Sequence, residues 1–186
     1  GAPNGGASSQ GGGPATSGGG VGGEGVGGSS STTMPMPCEW GQGTCGDGMD
    51  CAAPGCNAGQ CMPIPTGNDG TKAPVCGCDN VNYWNETTAG NFAMAVLHAG
   101  PCSTPTTCDV FACPQQGHSC GQLLADGNAC PFDFGGDCWG MPQQCEAVSV
   151  GKTWRQCFSG GNVPCLDECN AIKADGRFHP DQGCSQ

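Results

Sequence analysis

Between Val75 and Cys102 the apolar positions change period. They fall first in short extended runs, around Val75 and over Val81 to Tyr83, separated by the turn formers Asp79 and Asn80; this pattern predicts a small β-hairpin. From Asn85, a capping residue, they recur at Ala89, Phe92, Ala93, Val96 and Leu97 until Gly100 and Pro101 stop the run. That is the spacing of one helical face, so one helix should follow the hairpin and pack on it as a mini-core. Further on, Cys120 and Cys169 each open a stretch with an apolar residue three positions later, Leu123 and Ile172, and Ala-Asp-Gly after it (125 to 127 and 174 to 176). Each stretch predicts a short helical turn closed by a glycine in the left-handed C-cap position. The parallel between 120 to 138 and 169 to 184 is read as an internal repeat.

Residues 1 to 37 carry no such pattern: they hold fourteen glycines, one charge at Glu24, no cysteine and no aromatic residue. Such a segment cannot offset the entropy of ordering and is expected to be a disordered Gly/Ser-rich tether. Elsewhere apolar residues are sparse. Leu, Ile, Val and Phe supply 21 of the 186 residues, well below the roughly 20% expected of a self-sufficient core.

Cysteine takes over that role. Eight lie in residues 38 to 102 (Cys38, Cys45, Cys51, Cys56, Cys61, Cys76, Cys78 and Cys102). Ten more lie in residues 103 to 186 (Cys108, Cys113, Cys120, Cys130, Cys138, Cys145, Cys157, Cys165, Cys169 and Cys184). This density marks small secreted domains that replace missing core with cross-links. Metal sites instead announce themselves by C-x-x-C pairs, and none occurs here. About nine disulfides are expected, in two cysteine-rich modules, 38 to 102 and 103 to 186, the latter loop-rich with short helices. A polar linker at 103 to 107 separates them, and an even number in each leaves the connectivity open.

The disulfide load places the chain in an oxidising compartment, secreted or at the cell surface, with Gly1 expected to follow a removed export segment. A Gly/Ser tether in that position resembles bacterial surface lipoproteins, which implies a lipid anchor just upstream of Gly1. No transmembrane stretch occurs in the sequence. Six carboxylates face one lysine in 38 to 102, and nine face four basic residues in 103 to 186, within a net charge of -11. That balance argues against nucleic acid as a partner.

Pro74-Val-Cys-Gly-Cys-Asp79, a tyrosine and helix after it, and His98-Ala-Gly-Pro-Cys102 resemble the bacterial branch of the Kazal/follistatin-like family. The run Cys38-x6-Cys45-x5-Cys51-x4-Cys56-x4-Cys61, then Met62-Pro-Ile-Pro65, fits the same pattern. Two cysteines that the family carries as partners are replaced by Asn68 and Thr87. The resemblance implies that one bridge is deleted whole, that Cys76 pairs with Cys102, and that Cys61 pairs with Cys78. It also places an inhibitor loop at 62 to 72, with the reactive position at Gly70 within Asp69-Gly70-Thr71-Lys72. Glycine offers no side chain to fill a protease pocket and adds flexibility. The resemblance thus implies a scaffold serving as a structural or adhesive module, with serine protease inhibition as the alternative.

Cys108-x4-Cys113-x6-Cys120-Gly121 is similar to cysteine-rich repeats appended to secreted bacterial proteins. Phe132-Asp-Phe-Gly-Gly-Asp-Cys138 resembles the end of calcium-binding Notch-type repeats. It implies oxygen ligands at Asp126, Asn128, Asp133 and Asp137, and a second alternative of calcium-dependent assembly; the same residues serve ordinary turns. Beyond that ion no cofactor is expected. His98, His118 and His179 share no motif with a nucleophile, so no enzymatic activity is expected. Trp40, Trp84, Trp139 and Trp154 offer stacking surfaces for a protein or a surface polysaccharide, and the adhesive reading predicts them exposed.

Overall fold

The computed structural model describes residues 36–109, 112–124, 130, 135–146, 153–158 and 163–184. Expectations for residues 1 to 35, and for Asp126, Gly127, Asn128 and Asp133, lie outside the described residues. The described residues form a small disulfide-rich β-sheet protein with two short helices.

Strands β1 (Pro37–Glu39), β2 (Met49–Ala52) and β3 (Ala58–Pro63) form a three-stranded antiparallel sheet in the order β1-β3-β2. A 3-10 turn at Pro54–Cys56 joins β2 to β3. The expected hairpin is present: β4 (Val75–Gly77) pairs antiparallel with β5 (Asn82–Tyr83), with Val75 opposite Tyr83. Asn80 turns the chain with φ of 60°, a left-handed conformation that asparagine tolerates.

Helix α1 spans only Glu86–Asn91. Its cap is the expected Asn85, whose Oδ1 accepts from the Thr88 amide at 2.8 Å. The expected continuation through Leu97 is corrected: Ala93 takes φ of 52°, and Val96–Ala99 forms β6 beside β4. The Cys76–Cys102 bridge ties the chain just past this segment to β4, which favours strand pairing over another helical turn.

The second half contributes β7 (Thr107–Cys108), β8 (Ser119–Leu123), β9 (Gly136–Gly140), β10 (Trp154–Gln156), α2 (Glu168–Lys173) and β11 (Arg177–Pro180). It is richer in strand than expected. Cys120 lies in a strand, with Cys138 opposite it across the β8–β9 pair, and not in a helical turn. Cys169 does lie in a helix, capped by Asp167, so the two segments read as one repeated unit adopt different structures. The left-handed position after α2 belongs to Asp175, φ 45°, and not to Gly176. Gly176 is there for close packing, since a Cβ on it would lie 3.0 Å from the Phe178 ring.

These strands extend the hairpin into an eight-stranded sheet, β10-β11-β8-β9-β5-β4-β6 with β7 on β9. The join is a parallel pair, Asn82 beside Trp139 and Tyr83 beside Gly140.

All eighteen cysteines are paired. The first half holds Cys38–Cys51, Cys45–Cys61, Cys56–Cys78 and Cys76–Cys102. The second holds Cys108–Cys120, Cys113–Cys138, Cys130–Cys157, Cys145–Cys169 and Cys165–Cys184. Cys76–Cys102 is as the resemblance implied, whereas Cys61–Cys78 is corrected. The 3-10 turn packs against β6 and carries Cys56 to Cys78, leaving Cys61 to close on Cys45. Cystine also fills the interior: one cluster combines Val75, Val81, Tyr83 and Ala89 with Cys108, Cys120 and Cys138. Another is Cys38, Cys51, Cys61, Ala53 and Ala95.

Candidate functional site

The segment Asn68–Lys72 is built on one buried side chain. Asn85, 3% exposed, caps α1 with its oxygen and spends both amide hydrogens on the loop. Nδ2 donates to the Asp69 carbonyl and to the Thr71 carbonyl, each at 2.8 Å. The two carbonyls flanking Gly70 are therefore fixed to the start of a helix. Asp69 adds a local turn, its carboxylate accepting from the Thr71 amide at 2.8 Å. That hydrogen bond holds the carboxyl below the usual aspartate range.

Gly70 is enclosed on two sides. Its carbonyl accepts from Trp84 Nε1 at 2.7 Å. A Cβ on it would lie 2.5 Å from Cγ and 2.7 Å from the backbone nitrogen of Glu146. Glycine is required here by the close approach of another segment, because its φ is not in the left-handed range. The backbone at Gly70 is docked on residues 144 to 146, while Asn68, Asp69, Thr71 and Lys72 are exposed.

Neighbouring contacts continue the docking. Asn68 donates to the Gln144 carbonyl and accepts from the Gln144 amide, both at 3.1 Å. Lys72 reaches Glu168 at 2.6 Å and lies 5.6 Å from the Trp84 ring centroid. Asn68 thus anchors the loop to the other half by hydrogen bonds. Sequence reasoning missed this, since the partners lie 76 residues apart.

A second polar cluster was also missed. The fully buried Tyr83 donates its hydroxyl hydrogen to Asp79 Oδ2 at 2.9 Å, and the same oxygen lies 3.1 Å from His118 Nε2. A carboxylate only accepts, so the Tyr83 oxygen accepts from His118 in turn. Burial and the Asp79 charge push the phenol well above its ordinary range, and burial pushes His118 down. The His118 ring stacks on Phe92 at 4.7 Å between centroids. Tyr83 at the neck of the hairpin is the one signal for this cluster that the sequence carried.

None of the four tryptophans is exposed. Trp84 is 4% exposed, and Trp40, Trp139 and Trp154 are half-buried. The expectation of exposed stacking surfaces is therefore corrected; in so thin a core the large rings are used for packing, Trp84 against Met141, Cys169 and Ile172. Of the calcium candidates, only Asp137 is described. It is half-buried on β9, and burial raises its carboxyl above the usual range. Among the described residues, the groups of potential metal ligands that converge are Cys38, Cys45 and Cys61, and Cys108, Cys113 and Cys138, all engaged in disulfides.

Nine disulfides fit an extracellular, disulfide-stabilised protein. No helix among the described residues is long and apolar enough to cross a membrane. No family model, curated protein or solved structure matches the chain.

Proposed function

We propose that this chain is a non-enzymatic extracellular binding module, tethered through the residues before Met36, in which the segment 68 to 72 is an internal clasp. One observation carries the reading: both approaches to Gly70 are used by the chain itself, through Trp84 Nε1 on its carbonyl and Glu146 against its Cα. A protease would have to take that carbonyl into its oxyanion hole and seat the residue in its specificity pocket. The non-enzymatic part is supported by the Asp79, Tyr83 and His118 cluster, whose phenol keeps its proton and whose imidazole is stacked under Phe92. Such a cluster stabilises the hairpin and offers no activated nucleophile.

A second reading, a Kazal-type inhibitor, is favoured by the Asn85 bracket, which holds the carbonyls on both sides of Gly70 as a pre-organised loop requires. The two readings separate in one assay. The oxidised protein is titrated into trypsin-, chymotrypsin- and elastase-type proteases while cuts in residues 62 to 72 are mapped by mass. The clasp reading expects unchanged protease activity and slow cleavage at 68 to 72; stoichiometric loss of any one protease's activity overturns it in favour of the inhibitor.

A further inference from the structure

An open apolar groove of about 500 Å³ runs between the β2–β3 hairpin and the segment from α1 to β6. Cys56, in the turn of that hairpin, is bridged to Cys78, whose amide donates to the Ala95 carbonyl at 3.0 Å. Among the described residues, the large apolar side chains left exposed are Met36, Met62, Leu97 and Phe158. Two of the four, Met62 and Leu97, converge on this groove, with Pro63, Pro65, Met94 and Val96 beside them. An exposed apolar patch over a rigid scaffold marks an interaction site, and methionine adapts to varied side chains.

Two further features define the occupant. Both walls end in edge strands: β2 is terminal in its sheet and β6 terminal in the other. An extended backbone is the shape that such edges accommodate. Among the described residues, the charged groups lining the groove are the carboxylates Asp50 and Glu86, joined by His98 and by no lysine or arginine. Neither carboxylate is ion-paired among the described residues.

The geometry points to a binding site for an extended peptide segment that presents both apolar and cationic side chains to the groove. In a strand, alternate side chains face opposite ways. The set that enters the groove meets Met62 and Leu97 and also Asp50, the register partner of Met62, and Glu86, which line the same groove. The carboxylates select against anionic lipids and acidic peptides. This inference rests on the reading of the chain as a binding module and names that module's partner class.

The probe is a fluorescein-labelled octapeptide of two Leu-Leu-Lys-Lys repeats, which puts leucine and lysine on each strand face, with a second in which glutamate replaces each lysine, both read by fluorescence polarisation. Saturable binding of the lysine peptide is expected, weakened about tenfold or more by Leu97→Asp or Met62→Asp, as for a central apolar contact. Asp50→Asn with Glu86→Gln is expected to weaken it by about threefold to tenfold at low salt, and less at high salt. Leu97 and Met62 are exposed, so these variants should keep the native near-ultraviolet spectrum and disulfide mass map. The inference is overturned by absent saturation, by equal binding of the glutamate peptide, or by affinity unchanged in Leu97→Asp. A concentration-dependent dimer that Leu97→Asp disperses would assign the groove to a second copy and overturn it as well. Failure here leaves the protease assay untouched, and stoichiometric protease inhibition would remove the clasp reading without bearing on the peptide.

Discussion

Within each half of the molecule the chain is cross-linked covalently, whereas the seam between the halves carries no disulfide. Four bridges close inside Cys38–Cys102 and five inside Cys108–Cys184. The seam is held by the parallel β5–β9 pair, by the Trp84 amide donating to the Gly140 carbonyl at 3.0 Å, and by the clasp at 68 to 72. The same physical need, holding irregular backbone with little apolar core, is met by cystine in one place and by hydrogen bonds in the other. Cystine resists everything but reduction. The seam is expected to respond to single side chains and to pH.

Breaking the covalent side should give the largest effect. Replacing Cys76 and Cys102 together by alanine is expected to cost about 2 to 5 kcal/mol. It frees β6 from β4, and chemical denaturation followed by near-ultraviolet circular dichroism measures the loss. A cost under 1 kcal/mol would mean that hydrogen bonding alone holds that sheet edge.

The seam is tested next by Asn85→Asp. Aspartate keeps the cap on the Thr88 amide but loses both donations to the Asp69 and Thr71 carbonyls. The expected cost is about 1 to 3 kcal/mol, the range for leaving buried acceptors unpaired. Cleavage at 68 to 72 should accelerate while the rest of the chain stays protected. Uniform loss of protection would show that Asn85 serves the helix and not the clasp.

The smallest effect expected is that of pH on His118. Burial lowers its folded-state pKa below the ordinary 6.5, so the unfolded state binds the proton first. Stability should be constant above about 6.5 and fall as pH drops through that value. His118→Gln should flatten that slope. An unchanged slope in His118→Gln would move the effect to another group.

The elements legible in the sequence are the local ones. The hairpin from Val75 to Tyr83 and the Asn85 cap depend on neighbours within a few residues, and turn and capping chemistry announces both. The end of α1 was not legible, because Val96 and Leu97 fit a helical face and a strand equally well, and a partner strand twenty residues away decides between them. Gly70 stands out in sequence as a residue unable to fill a pocket. Its structural reason is Glu146, 76 positions on, which no local pattern reveals. His118 and Tyr83 likewise meet across 35 residues. The cysteine count foretold nine bridges, while the partner of Cys61 depended on where a 3-10 turn carries Cys56.

The separation of the bridges into two sets has a consequence for biogenesis. Every disulfide closes over 12 to 27 residues, and none joins a cysteine before residue 103 to one after it. In a chain delivered from its N-terminal end into an oxidising space, every partner of the first four bridges is present before Cys108 arrives. Eight cysteines permit 105 pairings, and all eighteen together permit many orders of magnitude more. Chain order thus divides one large sorting problem into two small ones, and the seam needs no oxidant to close.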